Sequence, residues 1–232
     1  MNKPRFIAGP PGTGKTHKFI VDKYITALKK YTPEKIIILS HTKIAAREIR
    51  EAIFEIPYIE QNYTKKEMES RICTIHTYCK SRILKKEVFS LSDHKNLIKE
   101  DSRFNNHQED DIKRKHRFYK YLSDAYGHGE TLDKYWIKCD QKSFAPYGLK
   151  LIKELLPFYK AYKKKHNLCD FADMIENFLR QTYNEKTKKM EDDVKDPDID
   201  ILIIDECQDC NVPQRKAIDK MARNVKEGHY YL

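Results

Sequence analysis

The chain has no long hydrophobic run. Its longest aliphatic stretches, Ile36–Leu39 and Ile201–Ile204, fall far short of the roughly 20 apolar residues that a membrane-spanning helix needs. No extended apolar segment opens the chain, so no secretory leader is visible. There is no internal repeat and no low-complexity tract, which argues against a solenoid or a tail-like chain. Cysteine is sparse: six residues in 232, scattered except for Cys207 and Cys210. That one C-x-x-C has no second C-x-x-C or C-x-x-H to complete a tetrahedral metal site. Six reduced thiols in a cytosolic protein are the plainer reading. Glycine is also scarce, with seven in the chain, yet three of them stand at positions 9, 12 and 14.

Those three belong to Gly9-Pro10-Pro11-Gly12-Thr13-Gly14-Lys15-Thr16, which fits the phosphate-binding pattern G-x-x-x-x-G-K-S/T at every fixed position. The glycines let the backbone turn tightly and bring its N–H groups against phosphate oxygens. Lys15 can reach the β- and γ-phosphates, and the Thr16 hydroxyl can ligate Mg²⁺. A following helix would aim its positive end at the same anion. Arg5-Phe6-Ile7-Ala8 suits a short buried strand before the loop, and His17–Lys30 carries Phe19, Ile20, Tyr24, Ala27 and Leu28 at helical spacing after it. A turn rich in glycine and proline that binds nothing is the alternative, and the strand–loop–helix context argues against it. No Asn-Lys-x-Asp guanine signature is present, so ATP is expected rather than GTP.

The net charge of +10 is unevenly spread. Residues 1–85 carry 17 Lys/Arg against 8 Asp/Glu, residues 86–165 carry 18 against 12, and residues 166–232 carry 10 against 15. A basic first two thirds points to nucleic acid as a partner, although scattered solvated lysines would give the same sum.

Short aliphatic strands alternate with amphipathic helices, which predicts a parallel sheet covered on both faces. Ile36–Leu39 reads as a buried strand, followed by a helix marked by Ile44, Ala45, Ile49, Ala52 and Ile53. Arg71–Ile75 reads as a third strand, with a helix over about 76–84. Ile199–Ile204 is the most strand-like run, with a helix over 212–225 behind it. Asp170–Arg180 reads as a helix with Phe171, Met174, Ile175, Phe178 and Leu179 on one face. Residues 183–197 read as a polar linker. The middle, 86–165, has no aliphatic strand and holds 13 of the 26 aromatic residues. Two helices are expected in it. One runs over about 111–126 with Ile112, Tyr119, Leu122 and Tyr126 on one side; the other runs over 149–162, kinked at Pro157. The expected organisation is therefore an α/β domain of residues 1–85 and 166–232 with an inserted helical subdomain, 86–165. Its aromatics are read mainly as its core, with one face left to stack on single-stranded nucleic acid.

The run Ile201–Ile204 ends in Asp205-Glu206. Two carboxylates at the C-terminal end of a hydrophobic strand complete a phosphate-loop ATPase, because ligands bind at that edge of a parallel sheet. Asp205 would hold Mg²⁺ and Glu206 would orient or deprotonate the attacking water. A helix cap beside a helix dipole is the structural alternative.

The residues around that pair carry a resemblance. Asp205-Glu206-Cys207-Gln208-Asp209-Cys210-Asn211, with Gln214, resembles D-E-x-Q-D-x-N-x-x-Q, motif II of the UvrD/Rep-type superfamily 1 DNA helicases. Gly9–Thr16 looks like that family's motif I. His41–Ile49 is similar to its motif Ia, F-T-N-K-A-A-x-E-M, and Thr74-Ile75-His76-Thr77-Tyr78 to motif Ib. Asp170–Ile175 resembles the D-F-x-D-L-L segment before motif II. The family's variable helical insert falls where this chain has its aromatic middle.

The resemblance implies a RecA-like ATPase domain that binds ATP and Mg²⁺, with Lys15, Asp205 and Glu206 catalytic and Gln208 beside the nucleotide. It also implies single-stranded DNA across His41, Thr42, Lys43, Thr74, His76 and Thr77, with 3′→5′ translocation. His41 stands where the family has an aromatic residue, and Lys43-Ile44 departs from its Asn-Lys. The family's adenine-reading Gln lies upstream of motif I, where only eight residues precede Gly9. Motifs III–VI and the arginine fingers lie beyond Leu232. The chain as given is thus expected to bind ATP, to hydrolyse it weakly and to need a C-terminal motor half or split partner for unwinding. A cytoplasmic location is expected: the nucleoid, or the host cytoplasm for a viral chain. A stand-alone ATPase switch and a nucleic-acid-binding module without helicase activity are the alternatives.

Overall fold

The computed structural model describes residues 5–7, 15–83, 86–105, 117–195 and 198–231. From the N-terminus, β1 (Arg5–Ile7) is followed by α1 (Lys15–Leu28), β2 (Ile36–Ser40) and α2 (Lys43–Phe54). Next come α3 (Pro57–Asn62), α4 (Lys65–Arg71), β3 (Ile72–Thr74) and α5 (Ile75–Ser81). The middle contains β4 (Glu87–Val88), α6 (Leu91–Glu100), α7 (Arg117–Gly127), α8 (Leu132–Lys138), α9 (Leu149–Lys165) and β5 (Leu168–Cys169). The chain continues through α10 (Phe171–Leu179), β6 (Gln181–Asn184), β7 (Lys189–Asp192), β8 (Ile201–Ile204), α11 (Val212–Ala222) and β9 (Glu227–Tyr231). Two compact units result, one of Met1–Leu84 with Ile175–Leu232 and the other of Lys85–Met174.

The first unit is built on a five-stranded sheet in the order β1-β9-β8-β2-β3. Every pairing is parallel, which makes this the expected RecA-like α/β fold. β2 and β8 are buried along their whole length, as continuous aliphatic strands covered on both faces must be. The period of two sends Ile36, Ile38, Ile201 and Ile203 to one face. There they join Ile20, Tyr24 and Ala27 of α1, and Ile49 and Ile53 of α2, in one cluster.

The second unit has a different core. Phe104, Phe118, Tyr121, Phe144, Tyr147, Tyr159 and Tyr162 pack with Leu97, Ile152, Leu155 and Leu168. The rings meet mostly edge-on: Phe118 lies 5.7 Å from Tyr159 and 5.2 Å from Phe104, the geometry that aromatic quadrupoles favour. Phe158 and Phe171 are the exposed Phe, Tyr or Trp rings among the described residues of this unit, and Arg103 lies over Phe158. The aromatic abundance is therefore mainly core.

Several local expectations change. Residues 183–197 are not simply a linker: β6 and β7 pair as an antiparallel hairpin. It is fastened by Arg180 to Asp193 (2.5 Å) and by Lys220 to Asp192 (3.4 Å). The middle does contain strand, since β4 pairs with β5. The helix expected over 111–126 is described from Arg117 onward; it buries Phe118, Tyr121 and Ala125 most deeply, with Tyr119 and Leu122 partly buried against the same core. Residues 111–116 lie outside the described residues. α9 runs on through Pro157 to Lys165.

Candidate functional site

Asp205 and Glu206 follow the last residue of β8. The Asp205 amide donates to the Leu39 carbonyl (2.8 Å), which ties the end of β8 to the end of β2. The Ser40 hydroxyl then donates to Asp205 Oδ2 at 3.1 Å, with both residues buried. Glu206 turns the chain in the left-handed region, at φ 53° and ψ 46°. That conformation costs a non-glycine residue roughly 1–2 kcal/mol and concentrates at functional sites. The Gln208 side-chain Nε2 donates to Glu206 Oε2.

Asn211 and Gln214, two further fixed residues of this motif, have a structural role. Asn211 caps α11: its side chain accepts from the Gln214 amide (3.0 Å), and the Gln214 side chain accepts from the Asn211 amide (2.8 Å). This reciprocal capping box satisfies two of the helix's open donors. Burial pushes both nearby thiols up, Cys210 to about 11, so neither is poised as a thiolate at neutral pH.

Lys15 and Thr16 stand at the start of α1, and Gly9, Pro10, Pro11, Gly12, Thr13 and Gly14 lie outside the described residues. β1, which leads toward that loop, is separated from β8 by β9 alone. Two strand spacings put their ends about 10 Å apart.

The strand-contact candidates stand at the ends of β2 and β3. Thr42 caps α2, its hydroxyl accepting from the Ala45 amide (3.1 Å). Thr74 caps α5 by accepting from the Thr77 amide (3.3 Å), and the two threonine hydroxyls lie 2.9 Å apart. Both threonines thus hold helix starts in place. His41, Lys43 and Thr77 are exposed, and His76 is half-buried. Burial, aided by His41, lowers His76 from 6.5 to about 4. It is neutral at pH 7 and can donate or accept a hydrogen bond there, but it cannot pair with phosphate as a cation.

Asp170 and Asp173 form a second capping box: each amide donates to the other's carboxylate at 2.9 Å. Lys163 Nζ reaches both carboxylates at 2.6 Å, and the Tyr159 hydroxyl donates to Asp170 at 2.9 Å. Burial by itself would raise Asp170. The Lys163 ammonium and these hydrogen bonds outweigh it and leave the carboxyl below its ordinary value.

The chain matches the family model described as UvrD/REP helicase N-terminal domain over residues 1–228. The chain belongs to that family. Membership makes it a helicase motor domain and implies use of a nucleotide and of nucleic acid. No curated protein matches the chain. Among the described residues of this helicase domain, no helix is long and apolar enough to cross a membrane. Sequence reasoning missed Ser40. Its one signal was a hydroxyl closing the aliphatic run Ile36–Leu39.

Proposed function

We propose that this chain is the ATP-binding motor domain of a superfamily 1 DNA helicase of the UvrD/Rep type, which binds ATP with Mg²⁺ and moves 3′→5′ along single-stranded DNA. One observation supports it above the others. Three adjacent parallel strands, β8, β2 and β3, end side by side in Asp205-Glu206, Ser40-His41-Thr42 and Thr74 with His76-Thr77. That is the edge at which parallel sheets bind ligands. A nucleotide-handling pair and a strand-contacting row thereby share one rigid border.

Asp205 is a hard oxygen donor, oriented by Ser40, and suits Mg²⁺, which takes one or two carboxylates beside substrate phosphates. Asp205 and the Thr16 hydroxyl are the groups that would hold the ion, which neutralises phosphate charge when bound. Lys15 contacts the phosphates, and Glu206 orients the attacking water or takes its proton. Replacing Lys15→Ala should abolish binding of a fluorescent ATP analogue; equal affinity in the two proteins would sink the reading. If strand binding rests on phosphates, oligonucleotide affinity falls steeply between about 50 and 200 mM salt. Salt-independent binding would contradict that.

A further inference from the structure

Arg5, Ile201 and Glu227 are the first residues of β1, β8 and β9, at the sheet edge opposite Asp205-Glu206. In the parallel registers Ile201 is level with Glu227, and Arg5 with His229 two residues further on. The period of two puts Arg5, Ile201 and Glu227 on one face. It is the face that α1 covers, since Ile201 packs with Ile20, Tyr24 and Ala27. There Lys23, Ala27 and, just past the helix end, Lys30 form a stripe at helical spacing along a cleft of about 170 Å³. A single water needs only roughly 10–15 Å³, so a polyatomic ion fits. Three cations line the cleft against one carboxylate. Glu227 has Lys30 at 3.7 Å and the Tyr31 hydroxyl at 3.5 Å, both long contacts. Arg5 and Lys23 have no ion pair among the described residues. The neighbouring Lys226 is engaged by Asp200 at 3.1 Å, and the Thr26 hydroxyl donates to the Asp22 carbonyl at 2.8 Å. Complementing the helix dipole accounts for Lys30 at most. The last turn of α1 carries no basic residue, Lys23 lies further back, and Arg5 is on a strand.

We infer that this cleft is a second anion site, remote from the nucleotide edge, which binds inorganic phosphate through Arg5, Lys23 and Lys30. Three like charges around one concavity repel one another until an anion lies among them. The planar guanidinium of Arg5 offers paired N–H donors that match two phosphate oxygens, and the two ammonium groups add point charges. Glu227 supplies the selectivity. A carboxylate only accepts hydrogen bonds, so beside an anion it tolerates one that still carries a proton to donate. Inorganic phosphate keeps such a proton at pH 8. Sulfate does not, and a phosphate monoester, whose second pKa is about 6, has lost it by then.

Amide hydrogen exchange of the full chain, read peptide by peptide at pH 8 and matched ionic strength, both locates the site and titrates it. Inorganic phosphate should slow exchange over residues 23–31 and 226–229. Arg5→Gln combined with Lys23→Gln should weaken that response by about tenfold or more, the usual consequence of losing hydrogen bonds to charged groups. Sulfate and methyl phosphate should bind there more weakly than phosphate, and Glu227→Gln should erase the difference. Protection confined to the phosphate loop would overturn the inference. So would an unchanged response in the double variant, or sulfate or methyl phosphate binding to wild type as tightly as phosphate. Arg5 is exposed and Lys23 half-buried. Should their double variant not fold, Lys30→Gln, at an exposed position, takes its place and must weaken the response. None of these readouts depends on nucleotide binding, so the function proposed above stands or falls separately, on Lys15→Ala.

Discussion

Asp170 and Asp173 share one lysine ammonium, whereas Asp205 takes a serine hydroxyl. Asp170 and Asp205 each follow a short buried strand at the start of a helical turn. The first site closes on itself: the Asp170 and Asp173 carboxylates each cap the other's backbone, and Lys163 neutralises the charge inside the fold. The second turns outward through a left-handed glutamate. The difference separates two uses of aspartate that look alike in the sequence. A carboxylate matched by a buried cation fastens helices together. A carboxylate oriented by a neutral hydroxyl at a strand end remains suited to a cation brought by a ligand.

The contrast can be broken most sharply at Glu206. Glu206→Gln should cut ATP turnover by about 10²–10⁴-fold, the usual contribution of a positioned acid or base. Steady-state phosphate release checks this, while analogue affinity stays close to wild type. Turnover within a few-fold of wild type would place Glu206 outside the chemistry. Lys163→Met should act oppositely, leaving two half-buried carboxylates uncompensated. The cost should fall at or below the low end of the about 3–5 kcal/mol for breaking a fully buried pair, readable in urea unfolding, with analogue affinity retained. A stability loss under 1 kcal/mol would mean the clasp behaves like a surface pair.

Acid should distinguish other groups by their windows. His76 is lowered from 6.5 to about 4, so between those values the unfolded chain binds more protons. Stability is then full above pH 6.5 and falls as pH drops toward 4. His76→Phe should flatten the thermal midpoint in that window. Asp170 is also lowered, from 3.8; its contribution is present above that value and is lost as pH falls further, through its folded value. Lys163→Met should remove this lower window and leave the upper one. The smallest effect is expected at the α11 cap. Asn211→Ala should cost about 1 kcal/mol and leave turnover per folded molecule unchanged.

What could be read in advance follows from range. β2 and β8 were legible because four consecutive aliphatic residues have few other uses. α2 was legible from Ile49 and Ile53 at helical spacing. The β6–β7 hairpin was not, since its turn carries no Asn-Gly or Asp-Gly. Lys188 takes the left-handed position at φ 55°, and Asn184 supplies the turn by accepting from the Lys186 and Thr187 amides, a side chain standing in for backbone. β4 and β5 are two residues each, too short for any period to register. In the site, the acidic motif was visible locally. Its partner Ser40 was not, because the contact spans 165 positions and exists only once β2 and β8 are in register. The Asp170/Asp173 clasp was hidden the same way: the spacing was visible, and Lys163 one helix earlier was not.

The central claim is that Asp205, and not the Asp170/Asp173 pair, holds the nucleotide's cation. The direct measurement is the affinity of a fluorescent ATP analogue with Mg²⁺ and with EDTA, in wild type, Asp205→Asn and Asp170→Asn. The account predicts tighter binding with Mg²⁺ in wild type and Asp170→Asn, and no such gain in Asp205→Asn. A gain in Asp205→Asn equal to that of wild type would contradict it.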